Sequence, residues 1–258
     1  MMQLTRRSQG RSDDRHQLAS PIARTPLVPT TMATHAAEIP AGVSPTLVAD
    51  QVYEVLAGRI FTGELHAGAR LRVRDIAEQV GTSVMPVREA VRLLVENGLA
   101  VSHPHRGARV REFTVRELIE IYDVRAVLEI EATRLGVPRV TDSDLAVMRE
   151  ACDRMFRAVV HEDIHDALEA DEVLLRQLYV AGGNDVLVQT VDSLWTQCRP
   201  YKVIGARAAI ESHDTSLWEP QPALIDALEE RDLDAAVAIT RRSVTSARRR
   251  LENQLVAH

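Results

Sequence analysis

The sequence predicts a mostly α-helical protein in which a helix–turn–helix unit with a β-hairpin precedes an all-helical antiparallel bundle. The first observation is length, because 258 residues suit about two domains at roughly 150 residues each. The second is composition: 45% apolar and 3% aromatic residues are typical of globular proteins rich in helix. The third is periodicity, because apolar residues recur at helical spacing from Leu47 to about residue 255, except near residues 99–110.

Residues 1–45 precede this pattern and mix Ser, Thr and Pro with few large apolar side chains. We predict a disordered tail, because its five prolines recur too closely for a helix. No apolar segment follows Arg6-Arg7 and no run of 18 apolar residues occurs, which favours a cytoplasmic protein without a membrane span. Cys152 and Cys198 lack the spacing of a zinc ribbon, and we interpret both as core residues.

Residues 46–112 form the first predicted domain. Its apolar spacing predicts three helices and a hairpin, over residues 47–60, 73–80, 84–97 and 99–110. Gly81 ends the second helix, so only a tight turn separates it from the third. In the hairpin, Gly107 supplies a permissive backbone between two short apolar segments.

Residues 115–258 form the second predicted domain, in which the pattern is helical throughout. Six helices are predicted, over residues 115–135, 141–160, 162–180, 185–204, 221–231 and 233–255. Breaks in the pattern are predicted at Pro138, Gly182-Gly183, Pro200 and Pro220-Pro222. Long helices with short connections are typical of an antiparallel bundle.

The net charge of −6 is divided unevenly between the two domains. Residues 46–112 carry nine Arg against eight acidic residues, whereas residues 113–258 carry 17 basic against 26 acidic residues. A surface of that negative sign repels a polyanion, so the second domain is a poor partner for nucleic acid. The first domain can bind phosphate if its arginines share one face.

The helix predicted over residues 84–97 has one apolar face and one free face. The core face carries Val87, Ala90, Val91 and Leu94, and the free face carries Met85, Arg88 and Arg92. Such a helix after a tight turn fits the major groove of DNA, where arginine donates two hydrogen bonds to guanine. Alternatively, Arg88 and Arg92 only solvate the helix by pairing with Glu89 and Glu96. Periodicity alone does not separate these two interpretations.

The stretch GELHAGARLRVRDIAEQVGTSVMPVREAVRLLVENGLAVSHPHRGARV, residues 63–110, resembles the winged helix-turn-helix domain of the GntR family of bacterial transcriptional regulators. The resemblance implies that a homodimer binds double-stranded DNA at a palindromic operator. Val84 and Met85 replace an Arg or polar residue and a Thr, so we expect apolar contacts there. The predicted DNA-binding residues are Arg74, Ser83, Val84, Met85, Arg88, Arg92, His105, Arg106 and Gly107.

The second domain places charged residues on its apolar stripes. Arg125 and Glu129 lie on the stripe of the helix over residues 115–135, and Asp171 lies on the stripe of the helix over 162–180. An unpaired buried carboxylate costs several kcal/mol, so Arg125 or a ligand must neutralise Asp171. A buried structural network of these residues and a ligand pocket both fit the pattern.

Residues 115–250 resemble the all-helical FCD effector domain of FadR-type members of that family, through YDVRAVLEIEA, EADEVLLRQLYVAGGNDVL and ALIDALEERDLDAAVAITRRS. Many such domains hold a divalent metal with one Asp and three His. Here the Asp is Asp171, but Leu175, Gln221 and Ser243 occupy the His positions, so we predict no metal and no cofactor. The resemblance implies a small organic-acid or acyl-type effector. Its predicted contacts are Arg125, Asp171, Trp195, Arg199, Gln221 and Ser243.

Two alternatives belong to other classes of function. Glu162 and His165 have the spacing of a di-iron bundle, but such a site needs two copies and the chain has one, so a metalloenzyme is disfavoured. A constitutive DNA-binding protein whose helical domain only dimerises is the second alternative. We interpret the chain as a dimeric bacterial transcription factor, a repressor released by a small anionic metabolite, and not as an enzyme.

Overall fold

The computed structural model describes residues 45–104 and 106–256, which all lie within one compact unit. The helices of this part are α1 Pro45–Phe61, α2 Val73–Gln79, α3 Val84–Glu96, α4 Val115–Gly136, α5 Asp142–Val160, α6 Ile164–Ala181, α7 Asp185–Glu211, α8 Pro220–Glu229 and α9 Leu233–Val256. The strands are β1 Arg70–Leu71, β2 Ala100–His103 and β3 Gly107–Val110. The predicted tail, except for Pro45, lies outside the described residues.

The first domain combines α1, α2 and α3 with a small antiparallel sheet in the order β1-β3-β2. In the predicted hairpin Ala100 pairs with Val110, and His103 pairs with Gly107. Gly107 has a φ of +78°, a left-handed conformation that glycine adopts without strain. Strand β1 was not predicted, because two residues are too few to show an alternating pattern. The helix–turn–helix unit with its hairpin is therefore confirmed.

The second domain is the predicted helical bundle. Helix α4 begins after Thr114, whose hydroxyl accepts a hydrogen bond from the Glu117 amide while the Glu117 carboxylate accepts one from the Thr114 amide. Helix α4 then packs against α6, α7 and α9, so it lies at the centre of the domain. None of the helices in the described ranges is long and apolar enough to cross a membrane. The predicted fold class is confirmed.

Helix α7 continues through Pro200 to Glu211, so the break that we predicted at Pro200 is wrong. Proline removes one backbone donor from the helix ladder and crowds the preceding turn. Tertiary packing offsets this cost, because α7 buries apolar side chains on both sides of the proline. They are Val188, Val191, Trp195, Cys198, Val203, Ala206 and Ala209.

Candidate functional site

The solvent-exposed face of α3 is the first candidate site. Its opposite face is buried and consists of Pro86, Val87, Ala90, Val91 and Leu94. The apolar spacing predicted all of these except Pro86. Met85 keeps 71% of its surface exposed, and Arg88 and Arg92 are also exposed. Ser83 precedes the helix and is exposed, and its hydroxyl makes no capping hydrogen bond. A helix N-terminus with a free hydroxyl is suited to a phosphate contact.

The two arginines of this face differ in their partners. Arg92 Nε donates to both carboxylate oxygens of Glu89 at 3.0 Å, and Arg92 also pairs with Glu96. The hydrogen bond from Arg92 lowers the pKa of Glu89. Arg88 takes part in no ion pair within residues 45–104 and 106–256. The solvation alternative therefore describes Arg92, whereas the Arg88 guanidinium is available to a ligand.

The other predicted DNA contacts also differ in exposure. Arg74 on α2 and Arg106 beside β3 are exposed. Val84 is half-buried and packs against the core of the first domain, so its side chain is less accessible than that of Met85. His105 lies outside the described residues. Sequence spacing placed Val84 at the start of the helix but did not show that the core covers it.

In the second domain, the buried carboxylate of Glu129 accepts hydrogen bonds from three side chains. Arg125 Nε donates to Glu129 Oε1 at 2.8 Å, Trp195 Nε1 donates to the same oxygen at 2.9 Å, and the Tyr179 hydroxyl donates to Oε2 at 3.1 Å. Burial and the Glu129 charge raise the pKa of Tyr179. The Arg125 guanidinium also lies 4.4 Å from the ring centroid of Tyr122.

We expected Arg125 or a ligand to answer the Asp171 charge, but its partners in the structure are the Lys202 ammonium and the Gln221 amide. Gln221 Nε2 donates to Asp171 Oδ1, and Lys202 Nζ lies 3.9 Å from Asp171 Oδ2. Arg125 is already paired with Glu129. Burial raises the pKa of Asp171, and the Lys202 charge offsets this only in part. The single network that we predicted for Arg125, Glu129 and Asp171 is therefore divided in two: Arg125 pairs with Glu129, whereas Asp171 contacts Lys202 and Gln221.

Sequence reasoning missed Glu172 and Lys202. Lys202 Nζ donates to Glu172 Oε1 at 3.0 Å, and Arg199 pairs with the other oxygen of the same carboxylate. Burial acts to raise the pKa of Glu172, but the charges of Lys202 and Arg199 outweigh it and hold the pKa below its usual range. Lys202 stands at i+7 from Trp195 on α7, and this spacing was a signal that it faces the core.

A cavity of about 20 Å³ lies between α4, α6, α8 and α9 and has room for about one water molecule. It is lined by Glu129, Leu175, Tyr179, Pro220, Gln221, Leu224, Ile239, Thr240 and Ser243. The structure therefore brings together the three positions where the family pattern has histidine. Arg125, Asp171, Trp195 and Arg199 do not line it. Gln221 Oε1 is buried and has no hydrogen-bond partner among the described residues.

The donor atoms around this cavity do not fit a divalent metal. Leu175 supplies no ligand atom, and Gln221 and Ser243 supply neutral oxygens where zinc or nickel binds imidazole nitrogen. In the described part of the chain no group of three or more His, Cys, Asp and Glu side chains is arranged to hold a metal ion. His161 is exposed in the turn after α5, whereas His165 is half-buried in the first turn of α6 and so lies outside the polar turn that we predicted for both.

Family comparisons cover both domains. The family described as bacterial regulatory proteins, gntR family, matches residues 48–110, and the FCD domain family matches residues 120–246. The HTH-type transcriptional regulator McbR of Escherichia coli is 32% identical over 151 residues, which are 58% of this chain and 68% of that protein. A probable D-xylose utilization operon transcriptional repressor of Paenarthrobacter nicotinovorans is 44% identical over 91 residues, which are 35% of this chain and 40% of the relative.

Solved structures of similar proteins share the fold. The structure of E. coli McbR/YncC superposes with a TM-score of 0.70 at 27% identity, covering 82% of this chain and 99% of that chain. A putative GntR transcriptional regulator from Rhodococcus sp. RHA1 gives a TM-score of 0.68 at 24% identity, covering 81% of this chain and 99% of that chain. The arrangement of both domains described above therefore occurs in other proteins.

The first prediction concerns the stability of the Glu129 network. Replacing Glu129 with Leu leaves the buried Arg125 charge without its carboxylate, which should lower the free energy of unfolding by about 3 to 5 kcal/mol. The Arg125→Met/Glu129→Leu double variant removes both charges and should recover a large part of that loss. Urea denaturation measures both values. Equal destabilisation of the single and double variants would contradict a stabilising ion pair.

The second prediction concerns metal content. Untagged protein, dialysed and measured by elemental analysis, should carry far less than one zinc or nickel ion per chain. The Leu175→His/Gln221→His/Ser243→His variant supplies three imidazoles beside Asp171 and should retain about one ion per chain, because four such ligands complete a zinc site. Leu175→His alone is the control and should retain none. A stoichiometric metal in the unmodified protein would show that our placement of the missing histidines is wrong.

Proposed function

This chain belongs to the gntR family of bacterial regulatory proteins, and we propose that it is a repressor whose binding to its operator is controlled by a small metabolite in the FCD domain. Family and relatives are transcriptional regulators and not enzymes. The observation that carries the proposal is the exposed face of α3, where Met85 is open to solvent and Arg88 forms no ion pair with any residue that the structure describes. Repression is supported by the relative from P. nicotinovorans, which is named a probable repressor.

In this proposal each α3 enters the major groove at one half-site of a palindrome, and a homodimer sets two such helices on the DNA. Arg88 donates to guanine, and Met85 contacts a thymine methyl. Arg74, Ser83 and Arg106 contact phosphate or an adjacent groove. Arg92 is a weaker candidate, because binding to DNA has to compete with its two carboxylate partners.

The proposed effector is a small organic acid or acyl thioester anchored by Arg125. Arg125 Nη1 is buried and has no hydrogen-bond partner in the described part of the chain, so it can still donate to a carboxylate. Because Glu129 separates Arg125 from the cavity lining, binding requires the cavity to open from its present volume. Gln221 and Ser243 line that cavity and can bond ligand oxygens or hydroxyls.

The small volume of the cavity favours a second candidate, a constitutive repressor. About 20 Å³ admits a water molecule and no organic acid. In that case Arg125 and Glu129 serve only to hold the helices together. A screen by thermal shift against organic acids and acyl thioesters separates the two candidates, since a constitutive repressor gains no stability from any of them.

The third prediction tests the DNA-binding face. Footprinting of the DNA upstream of the gene should show a protected palindrome, and Arg88→Ala should weaken operator binding by about 1 to 3 kcal/mol and relax one base preference. Arg92→Ala is the matched control on the same helix. It should weaken operator binding less than Arg88→Ala does, because the Arg92 guanidinium is already paired with Glu89 and Glu96. If Arg106 contacts phosphate, Arg106→Ala should lower the slope of log operator affinity against log salt concentration by about one. An upstream region without any protected site at low salt would refute the proposal.

The fourth prediction tests the effector anchor. Arg125→Met alone leaves the buried Glu129 carboxylate without its cation, so the informative variant is Arg125→Met/Glu129→Gln. The Gln amide keeps one oxygen to accept from Trp195, and its NH2 group can donate to the Tyr179 hydroxyl in place of the second carboxylate oxygen. It should bind the operator as the unmodified protein does and lose the thermal shift of any acid found in the screen. Arg176→Met removes an exposed ion pair with Asp192 on the neighbouring helix and should keep that shift. A double variant that still responds to the acid would refute the anchor.

A further inference from the structure

Helix α7 contacts both the buried polar network and the DNA-binding domain within the eight residues from Trp195 to Lys202. Trp195 donates to the buried Glu129 carboxylate and Lys202 donates to the half-buried Glu172 carboxylate, as described above. Between them, the Arg199 guanidinium lies 5.5 Å from the ring centroid of Phe61, at the end of α1. Cations within about 6 Å of an aromatic centroid are attracted to the ring. Arg199 therefore joins the bundle to the first domain.

Tyr201 and Gln197 extend this contact. The Tyr201 hydroxyl accepts a hydrogen bond from the Phe113 amide at 3.1 Å, and the two rings meet edge to face with centroids 6.0 Å apart. Phe113 lies in the connection between β3 and α4, so this bond fixes the segment that joins the two domains. Gln197 packs on Gly98, where a Cβ atom would lie 2.9 Å from the Gln197 side chain. Three neighbouring positions of α7 thus touch the DNA-binding domain or its connection.

A continuous chain of polar contacts leads from the cavity to Arg199. Gln221 lines the cavity and donates to Asp171, which lies 3.9 Å from Lys202 Nζ. Lys202 donates to Glu172 at 3.0 Å, and Glu172 also pairs with Arg199. Lys202 is therefore shared between two carboxylates, the buried Asp171 at the cavity end and the half-buried Glu172 at the Arg199 end.

A ligand in the cavity changes this sharing. Gln221 Oε1 in the cavity wall has no hydrogen-bond partner among the residues that the structure describes, so a ligand that presents a donor draws the Gln221 amide towards itself. If Gln221 leaves Asp171, Lys202 becomes the remaining charge partner of that buried carboxylate and is pulled from Glu172 towards it. Glu172 is then left to Arg199 alone.

Pro200 gives α7 the local freedom that such a shift requires. Proline lacks the backbone donor that would close the preceding turn, so the helix has one hydrogen bond fewer between Thr196 and Pro200. Arg199, Tyr201 and Lys202 flank this point. Helices bend preferentially where a proline interrupts the ladder.

We propose that Lys202, shared between Asp171 and Glu172, couples the state of the cavity to the position of the DNA-binding domain through Arg199 and Tyr201. Lys202 and Glu172 are positioning residues, since neither touches DNA or lines the cavity. The inference rests on the proposed function, because it supplies the route by which an effector in that cavity alters operator binding. Coupling of this kind is a free-energy difference between two arrangements of α7. It is reciprocal, so a ligand in the cavity changes operator affinity and operator DNA changes ligand affinity by the same factor.

A double-mutant cycle in the full-length protein tests the coupling without an identified ligand. Gln221→Met removes the hydrogen bond to Asp171 and should weaken operator binding by about fivefold or more, the range of a typical allosteric coupling. In the Glu172→Gln background the same substitution should change operator affinity less than about twofold. Glu169→Gln alters an exposed carboxylate on the same helix, and in that control background the fivefold effect should persist. Equal effects of Gln221→Met in all three backgrounds would overturn the proposal.

Hydrogen exchange of the DNA-free protein gives a readout that is independent of operator binding. Gln221→Met should speed hydrogen exchange of the Phe113 amide, which the Tyr201 hydroxyl protects. Adding Glu172→Gln should abolish that effect. If the Glu172→Gln variant does not fold, Lys202→Met provides the same test. Coupled exchange in a protein that binds no operator would support the coupling and refute the proposed function. Operator binding with no coupled exchange would overturn the coupling alone.

Discussion

The constraint on which the second domain depends is the burial of a carboxylate at the meeting point of three helices. Glu129 on α4 is 1% exposed, and its partners come from α4 itself, from α6 and from α7. A charge without a partner in such a place costs several kcal/mol, so the three helices must meet with Arg125, Tyr179 and Trp195 at hydrogen-bond distance. Apolar packing alone leaves the rotation of each helix less defined. The Glu129 network sets the orientation of α7, and α7 carries every contact with the first domain described above.

The polar lining of the cavity depends on the same buried carboxylate. Glu129 forms part of the cavity wall. Its carboxylate already accepts hydrogen bonds from Arg125, Trp195 and Tyr179, so it does not require a cation from a ligand. At a position where the family pattern has histidine, Gln221 donates to Asp171, and its own oxygen has no partner among the described residues. The cavity therefore offers hydrogen-bonding groups in place of metal ligands, and specificity of the proposed effector site would depend on the polar atoms that a ligand presents.

Much of the fold could be predicted from the sequence, because single-helix periodicity decides which face of a helix is buried. The buried residues of α3 and the position of Asp171 inside the bundle follow from that rule. The pairing of side chains does not, since it depends on how two helices meet. Spacing placed both Arg125 and Asp171 in the interior but could not show that Glu129 and Lys202 are their partners. Pro200 was given too much weight, because local propensity is overridden where a helix buries apolar residues on both sides.

The contrast between Arg88 and Arg92 shows how the same physics separates recognition from solvation. Both are exposed on α3, but Glu89 and Glu96 lie one helical turn to either side of Arg92 and occupy its guanidinium. Arg88 pairs with no carboxylate in the described part of the chain, so a base edge or a phosphate can bind it without displacing an existing partner. The acidic second domain repels DNA, which leaves the small basic surface of the first domain to bind it. In the proposed dimer, a modest change in the pose of that surface is enough to alter affinity, because the two α3 helices must meet two half-sites at a fixed spacing.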